Sequence, residues 1–339
     1  MKKSSAATPA LREQVLARLA DGAFHSGEGL ASALGVSRTA IWKCVRGLVA
    51  LGIDINAVPK RGYRLPQDVE LLDVDTILKA AGPAARDRVR RLQCSLVTDS
   101  TNAMLLAVQD LPTGRADVCI AELQTAGRGR RGRSWSAPFG SGICVSMSWQ
   151  FAEAPRQLSA LSLAVGVAVL RALKKLGIPG VRLKWPNDLQ AGNGKLGGIL
   201  IELRAESSGP AYVVIGLGLN FRLSARTRSE FAGAGIEAAD LADAQPQHGL
   251  GRSRCTGAIL ESMVDALLEF ERHGLQSFTR EWREADALAA AGANVQFGDR
   301  TFQGIARGID EDGALLLETP GQLLRFNSGE VTVRASDKT

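Results

Sequence analysis

The sequence contains few of the residues that build disulfide frameworks, structural zinc sites and hydrolase triads. Its five cysteines are odd in number and include no CxxC pair, which argues against a disulfide framework and a structural zinc site. Its three histidines lie away from every motif, so no Ser-His-Asp pattern can be read. A Walker A motif and a GxGxxG with a following acidic partner are also missing. If part of the chain binds ATP, it uses arginine and lysine side chains instead of a phosphate loop.

Long apolar runs are absent as well. No stretch of the sequence is long enough to span a membrane. The polar and small residues of Met1–Pro9 do not resemble a signal peptide. We therefore expect a cytoplasmic protein with no membrane partner.

The charge of the chain is unevenly placed along its 339 residues, a length that suits two or three domains. Residues 1–66 contain ten lysines and arginines against four acidic residues, which accounts for the whole net charge of +6. The remainder carries 31 basic and 31 acidic residues. This asymmetry indicates a polyanionic partner for the N-terminal segment alone.

The N-terminal segment has the pattern of a winged helix-turn-helix. Apolar periodicity, serine N-caps and terminal glycines predict helices over residues 11–20, 26–35 and 37–52. Ile53–Val58 and Tyr63–Leu65 then predict a hairpin with a basic tip. In such a domain the third helix enters the major groove and the wing follows the phosphates. The alternative is a small helical cap with a solvated basic face.

Seven side chains on the third helix and the wing tip are the DNA-binding candidates. Ile41, Val45 and Leu48 share one face of the third helix and should pack inward, which leaves the basic face outside. Trp42 either touches a thymine methyl group or packs half-buried, and packing is the preferred interpretation. The candidates are Arg38, Thr39, Trp42, Lys43, Arg46, Lys60 and Arg61.

After a linker over Pro66–Asp75, the pattern changes to alternating strands and helices. A predicted strand over Arg91–Thr98 leads to Ser100-Thr101-Asn102 at the start of a helix. Three hydrogen-bonding side chains at a helix N-terminus can grip a polar ligand, although an N-cap alone explains Ser100 equally well. The sequence leaves both interpretations open.

The segment Gly127–Arg133 holds four arginines and three glycines without a carboxylate. Glycine lets the backbone approach a ligand closely, and arginine binds carboxylates and phosphates through a planar, permanently charged fork. We interpret the segment as a loop that orders and closes over an anionic small molecule. The alternative is a disordered nucleic-acid-binding segment, but the run is short and lies between predicted strands.

Lys195 and two pairs of glycines form the next constellation. Gly197-Gly198 and Gly216/Gly218 fall in neighbouring predicted strands, where glycine often marks the close approach of a ligand. Lys195 follows a turn and can place an ammonium group beside them, although a solvated turn lysine is the plainer interpretation.

Four motifs stand in the order that one family shows: Gly127–Arg133 with Trp135, Lys184–Asp188, Lys195–Leu200 and Gly216–Asn220. The chain resembles bifunctional biotin–protein ligases that are also biotin operon repressors, the BirA type, over nearly its full length. This resemblance implies a multidomain α+β fold with three units. They are a winged helix-turn-helix at residues 1–66, a mixed α/β, biotin/lipoyl ligase-like domain at 67–290 and an SH3-like small β-barrel at 291–339.

The resemblance also implies an activity. Such enzymes join biotin to ATP, with Mg²⁺, giving biotinyl-5′-AMP, and pass the biotin to a lysine of the biotin carboxyl carrier protein of acetyl-CoA carboxylase. The adenylate acts as corepressor, promoting homodimerisation and binding to operator DNA. Three alternatives are a biotin-sensing repressor without catalysis, a lipoate–protein ligase and a ligase whose winged helix no longer binds an operator.

Matched positions imply the roles of individual side chains in the ligase domain. Asp188 is a further catalytic candidate, because the acceptor lysine must lose a proton before it attacks. The region Phe221–Gly251 departs from the family, since it has no tryptophan to stack on adenine. The catalytic candidates are Lys195, Arg130, Arg128 and Asp188. The biotin-binding candidates are Ser100, Thr101, Asn102, Gln124, Arg128, Gly129, Arg130, Lys195 and Gly198. The nucleotide-binding candidates are Arg128, Arg130, Arg131, Trp135, Asn187, Asn220 and Arg334.

Overall fold

The computed structural model describes residues 9–66, 69–108, 110–205, 209–244, 249–328 and 331–335. Its N-terminal part is three helices followed by a two-stranded antiparallel hairpin, as the sequence predicts. These elements are α1 (Pro9–Leu19), α2 (Gly27–Leu34), α3 (Arg38–Ala50), β1 (Asn56–Val58) and β2 (Gly62–Arg64).

Local signals set the helix boundaries in this part. Ser26 Oγ accepts a hydrogen bond from the backbone of Gly29 at 2.9 Å, and Ser37 Oγ accepts one from Ala40 at 3.1 Å. Gly35, with φ of 64°, ends α2 in the left-handed conformation that glycine adopts readily. The hairpin is shorter than expected. Its first strand begins at Asn56 instead of residue 53, because the preceding isoleucines are buried in the core of the three helices.

A seven-stranded mixed sheet forms the centre of the molecule. Only its first pair, β3 with β4, is parallel, and the other neighbours are antiparallel. The spatial order is β3-β4-β5-β9-β8-β7-β6. The strands are β3 (Val89–Thr98), β4 (Ala116–Gln124), β5 (Gly142–Phe151), β6 (Val181–Lys184), β7 (Asp188–Ala191), β8 (Gly194–Ala205) and β9 (Ala211–Asn220).

Eight further helices surround this sheet in the described residues, and the two longest pack against each other over its apolar face. They are α4 (Val74–Ala80), α5 (Gly82–Arg88), α6 (Thr101–Leu106), α7 (Leu161–Lys175), α8 (Ala225–Gly233), α9 (Leu241–Ala244), α10 (Arg252–His273) and α11 (Gln276–Glu284). The longest, α10, contacts α4, α5 and α7, so the helices close the core on that side.

Several sequence predictions for these helices need correction. The nearly continuous apolar pattern of residues 157–176 predicts one buried helix, but in the structure a 3-10 turn over Leu158–Ala160 precedes α7. The sequence predicts a last helix over residues 277–290, whereas α11 ends at Glu284. The sequence does not predict α4 and α5, and α8 and α9 lie in Phe221–Gly251, whose alanine-rich pattern predicts irregular structure. Helix α8 carries mostly polar residues, so it has no apolar stripe to reveal it.

The linker between the N-terminal helices and the sheet is fixed to the N-terminus of α10. The Glu70 carboxylate accepts hydrogen bonds from the backbone of Arg252 at 2.7 Å and Ser253 at 3.0 Å. The Arg252 guanidinium donates to Glu122 Oε2 at 2.8 Å and to the carbonyl oxygens of Glu70 and Gly142, each at 2.6 Å. The Arg252 and Glu122 side chains are 3% and 1% exposed. A buried ion pair therefore joins the linker, α10 and β4.

The C-terminal part is a five-stranded antiparallel sheet. Its order is β13-β12-β11-β10-β14, and the described residues do not show pairing between the two outer strands. The strands are β10 (Gly292–Phe297), β11 (Arg300–Ile309), β12 (Leu315–Thr319), β13 (Gln322–Phe326) and β14 (Val331–Ala335). The buried Trp185 indole donates to the Gly313 carbonyl at 3.0 Å and joins this sheet to the centre.

The described helices include none with the length and apolar character needed to cross a membrane.

Candidate ligand-binding pocket and DNA-binding face

One pocket collects most of the side chains that the sequence singles out. It is lined by the N-terminus of α6, the arginine-glycine loop, the segment Lys184–Asp188, Lys195 and the glycines of β8 and β9. Val333 of the C-terminal sheet also lines it. The candidates of the ligase domain that line this pocket are Ser100, Thr101, Asn102, Gln124, Arg128, Gly129, Arg130, Arg131, Trp135, Asn187, Asp188, Lys195 and Gly198.

A chain of hydrogen bonds begins at the N-terminus of α6. Gln124 Oε1 accepts from the Thr101 backbone N–H at 2.8 Å and lies 3.1 Å from Thr101 Oγ1. Ser146 Oγ lies 2.6 Å from Thr101 Oγ1 and 2.5 Å from Asn102 Oδ1. Ser100 caps the helix, with its Oγ 3.4 Å from the Ala103 nitrogen. The N-cap interpretation of Ser100 is therefore confirmed, and Thr101 and Asn102 are additionally fixed by side-chain partners.

Two glycines of β9 make room for side chains of the pocket. A Cβ atom at position 216 would lie 2.3 Å from Asn102 Oδ1, and one at position 218 would lie 2.2 Å from the Trp135 ring. Such distances are far below van der Waals contact. Asn102 and Trp135 therefore lie directly against these glycines, whereas the sequence predicted that a ligand would lie there.

The arginine-glycine loop is a compact turn in this structure. Gly129 N–H donates to the Arg133 carbonyl at 2.7 Å, and Trp135 N–H donates to the Gly127 carbonyl at 2.9 Å. Arg131 has φ of 57°, a left-handed conformation that costs energy for a residue with a Cβ atom. This geometry suits a loop that folds over the pocket.

Three cationic side chains of the pocket bind carboxylate or amide oxygens of neighbouring side chains. Arg128 Nη1 pairs with Glu202 Oε1 at 3.2 Å, and Lys195 Nζ pairs with Asp188 Oδ1 at 2.6 Å. Arg130 Nη1 donates to an amide oxygen, Asn187 Oδ1, at 3.1 Å. Burial lowers the pKa of Arg130 from its usual value, although an arginine keeps its charge at neutral pH. An anionic ligand can replace each of these acceptors.

One nucleotide-binding candidate, Asn220, does not line the pocket. Asn220 is buried, and its amide donates to the carbonyl oxygens of Lys195 at 3.3 Å and Ala239 at 3.0 Å. It therefore supports the backbone beside Lys195. The backbone of Arg334 pairs with Asn294 in the C-terminal sheet, but its side chain lies outside the described residues.

Ser146 and Glu202 are members of the hydrogen-bonded chain that sequence reasoning missed. Glu202 Oε2 accepts from Asn102 Nδ2 at 2.8 Å, so Glu202 contacts both Asn102 and Arg128. The available signal was the single acidic side chain of β8, two residues beyond Leu200. Ser146 alternates with large apolar residues of β5 and is fully buried, a pattern without a distinctive sequence signature.

All seven DNA-binding candidates are exposed, and Ile41, Val45 and Leu48 are buried as predicted. The Trp42 side chain is 46% exposed, which fits half-buried packing, and the Arg46 guanidinium stacks over its ring at 4.8 Å. On the wing, Arg61 stacks over the Phe24 ring at 4.1 Å. These cation–π contacts hold two arginines against aromatic rings on this surface.

Comparison with known proteins defines the class first. Residues 11–64 match an HTH domain, residues 95–220 match the Biotin/lipoate A/B protein ligase family, and residues 294–334 match the Biotin protein ligase C terminal domain. The chain is thus a protein ligase of the biotin/lipoate type with a helix-turn-helix domain.

Relatives along the whole chain define the family. The bifunctional ligase/repressor BirA of Escherichia coli K12 is 38% identical over 326 residues, covering 96% of this chain and 98% of that protein. The BirA of Salmonella typhimurium is 37% identical, covering 95% and 97%. This chain therefore belongs to the BirA family of bifunctional ligase/repressors.

A solved structure supports the fold of the ligase part. The biotin protein ligase from Aquifex aeolicus, in complex with biotin and ATP, aligns with a TM-score of 0.60 at 23% identity. The alignment covers 73% of this chain and the whole of that one. A biotin–[acetyl-CoA-carboxylase] ligase of Mycobacterium tuberculosis is 34% identical over 71% of this chain and 88% of its own length.

Proposed function

We propose that the protein is an ATP-dependent biotin–protein ligase that also represses transcription of biotin biosynthesis genes. It forms biotinyl-5′-AMP and transfers biotin to a lysine of the biotin carboxyl carrier protein of acetyl-CoA carboxylase. The observation that carries the ligase proposal is one pocket that brings Arg128, Arg130 and Lys195 to the polar N-terminus of α6. Membership of the BirA family supports both activities.

The pocket chemistry suits the joining of two anions. The biotin carboxylate must approach the α-phosphate of ATP, and the three cations offset the repulsion between them. They also stabilise charge that develops on the phosphate during attack. When the ligands bind, Arg128 leaves Glu202 and pairs with ligand oxygens, and Lys195 likewise leaves Asp188 and pairs with ligand oxygens. The arginine-glycine loop then covers the adenylate and excludes water that would hydrolyse it.

Mg²⁺ fits this pocket as a companion of the nucleotide. Magnesium typically keeps one or two protein carboxylates together with substrate phosphates. Asp188 lines the pocket and offers such a carboxylate once Lys195 turns to the ligand. Clusters of three or more metal-ligating side chains were not found among the described residues. The ion would neutralise charge on the departing pyrophosphate.

In the transfer step the acceptor lysine must be neutral. Asp188 accepts a hydrogen bond from an ammonium group in this structure. We propose that it receives the acceptor's proton in the same geometry. Arg131, Trp135, Asn187, Asn220 and Arg334 remain proposed contributors to the nucleotide side.

The architecture completes the proposal. We assign the three units to residues 1–66, 67–290 and 291–339, and we propose that the last closes as an SH3-like barrel. The ring centroids of Phe302 and Phe326 lie 5.4 Å apart in this C-terminal sheet, and their contact supports a common core between its strands. We also propose a cytoplasmic protein that forms a homodimer when the adenylate binds and that uses the winged helix to grip operator DNA.

ATP–pyrophosphate exchange with biotin and with lipoate in parallel tests the ligase proposal. Exchange with biotin alone is expected, and it should fall at least a hundredfold in Arg130→Ala and Lys195→Ala, because each removes a charge from the reacting anions. Arg280→Ala, an exposed substitution in α11, serves as the charge-matched control. Exchange with lipoate alone would identify a lipoate–protein ligase, which the matched ligase family also contains.

Operator binding tests the repressor proposal. The double substitution Arg38→Ala, Arg46→Ala removes two charges from the exposed face of α3 and should abolish operator binding while sparing pyrophosphate exchange. The double substitution Arg272→Ala, Arg280→Ala removes the same charge from α10 and α11. Unchanged operator affinity in the first variant would refute the assignment of α3 as the recognition helix.

A further inference from the structure

The backbone of Lys195 is held by a short segment that lies outside the strands of the central sheet. The Lys195 N–H donates to the Glu237 carbonyl at 2.7 Å, and the Lys195 carbonyl accepts from the Ala239 N–H at 3.0 Å. These two bonds form a parallel bridge between Lys195 and Ala238. We call residues 237–239, which lie between α8 and α9, the strap.

The strap takes a place beside β8 that β9 leaves open. Strand β8 lies between β7 and β9 in the sheet. Lys195 is opposite Gln190 of β7, whereas the pairing of β8 with β9 begins only at Gly197. The register between β7 and β8 shifts just beyond Lys195. Such a bulge re-aims the side chains beside it, so the direction of Lys195 depends on how its backbone is held.

Two further contacts join the strap to β8. The Asn220 amide donates to the carbonyl oxygens of Lys195 at 3.3 Å and Ala239 at 3.0 Å, so one side chain bridges both segments. At the start of β8, a Cβ atom at Gly194 would lie 2.9 Å from the Ala239 nitrogen. The strap therefore packs directly on the backbone that precedes Lys195.

A buried carboxylate fixes the C-terminal end of the strap. Asp240 follows the strap directly and is 1% exposed. Its Oδ2 accepts from the Leu223 N–H at 2.6 Å and from Arg228 Nη2 at 2.7 Å, and its Oδ1 accepts from the Asp243 N–H at 3.0 Å. Arg228 Nη1 also pairs with Asp243 Oδ2 at 2.8 Å. Arg228 thus ties α8 to the chain that leaves the strap.

We propose that Arg228 and Asp240 are positioning residues for Lys195 and act through the strap. This inference rests on the proposed function, in which the Lys195 ammonium leaves Asp188 for ligand oxygens. The side chain turns in that exchange while the strap keeps its backbone in place. The ammonium then arrives where charge develops on the phosphate. Precise placement matters, because a displacement of about 1 Å can lower a rate roughly hundredfold.

Kinetics of biotin-dependent pyrophosphate exchange test the inference. Arg228→Met should lower kcat about tenfold by loosening the strap. The KM values for biotin and ATP should stay within about threefold, because Lys195 gives up Asp188 and gains chiefly in the transition state. Arg228→Lys keeps a cation at this position and should recover kcat to within about threefold of wild type. The control Arg226→Met removes an exposed arginine from the same helix and should leave kcat unchanged.

A double-mutant cycle with Lys195→Ala separates positioning from a general loosening of the fold. If Arg228 acts through Lys195, adding Arg228→Met to Lys195→Ala should change kcat by less than about twofold. Asp243→Asn is a milder change at the exposed end of the same cluster. It should lower kcat about threefold, and it replaces Arg228→Met in the cycle if that variant does not fold.

Two outcomes would overturn the inference while leaving the proposed function intact. One is a kcat in Arg228→Met, or in Asp243→Asn where it replaces that variant, equal to that of Arg226→Met. The other is a loss of kcat that persists in full when Lys195 is already alanine, since the effect would then not pass through Lys195. A wild-type protein without biotin-dependent exchange would instead overturn the proposed function and this inference with it.

Discussion

The buried ion pair between Arg252 and Glu122 gives a stability prediction with a definite magnitude. Substituting Arg252→Met removes a guanidinium that donates to Glu122, to the Gly142 carbonyl and to the Glu70 carbonyl. Glu122 would keep the Leu72 backbone N–H as its neutral donor. Breaking a buried pair by removing one partner typically costs about 3–5 kcal/mol, because the other charge stays buried without compensation.

Urea unfolding followed by circular dichroism at 222 nm measures this free energy. The control Arg280→Met removes an exposed arginine paired with Glu284 at 4.0 Å, and it should change the unfolding free energy little. The double variant Arg252→Met, Glu122→Met removes both charges, so it should lose less stability than Arg252→Met alone. A single variant as stable as the control, or a double variant less stable than the single one, would refute the reasoning.

Two further predictions concern the pocket and the pH dependence of stability. Gly216→Ala should raise the KM for biotin about tenfold, because the new Cβ atom would displace Asn102. The control Gly233→Ala should leave this KM unchanged, since no atom lies within 4 Å of its new Cβ. Equal KM values in both variants would contradict the packing argument. Hydrogen bonds from Arg171 hold the pKa of Glu281 below its usual 4.5, so this pair stabilises the fold above about pH 4.5 and its contribution is lost as pH falls through the lowered pKa. The difference in Tm between wild type and Glu281→Gln should therefore shrink from pH 7 to pH 3, and a constant difference would show that the pair is not responsible.

The features predictable from the sequence are those that depend on neighbours along the chain. Ser26 and Ser37 are capping residues whose partners lie three positions away, so the helix starts could be read directly. The same holds for the exposed face of α3, which follows from its periodicity. The motifs of the ligase part could be grouped because their residue types share one chemistry, the binding of anions.

The features that were missed depend on contacts between distant segments. Glu202 and Asn102 are 100 positions apart, and Arg252 and Glu122 are 130 positions apart. The sequence around either acidic residue does not indicate which distant partner it contacts. Helix α8 was missed for a different reason, since its N-cap Ser224 was readable but its polar composition gave no apolar periodicity.

The placement of the five tryptophans gives each proposed activity its own optical reporter. Trp149, Trp185 and Trp282 are buried and should emit at short wavelength, with little response to solutes. Trp42 lies exposed on α3, so bound DNA should quench its fluorescence, while Trp135 lies in the ligand pocket against Gly218 and should respond to the adenylate. With Trp42→Phe as the reference, one unlabelled preparation would allow ligand binding and operator binding to be followed separately in the same cuvette.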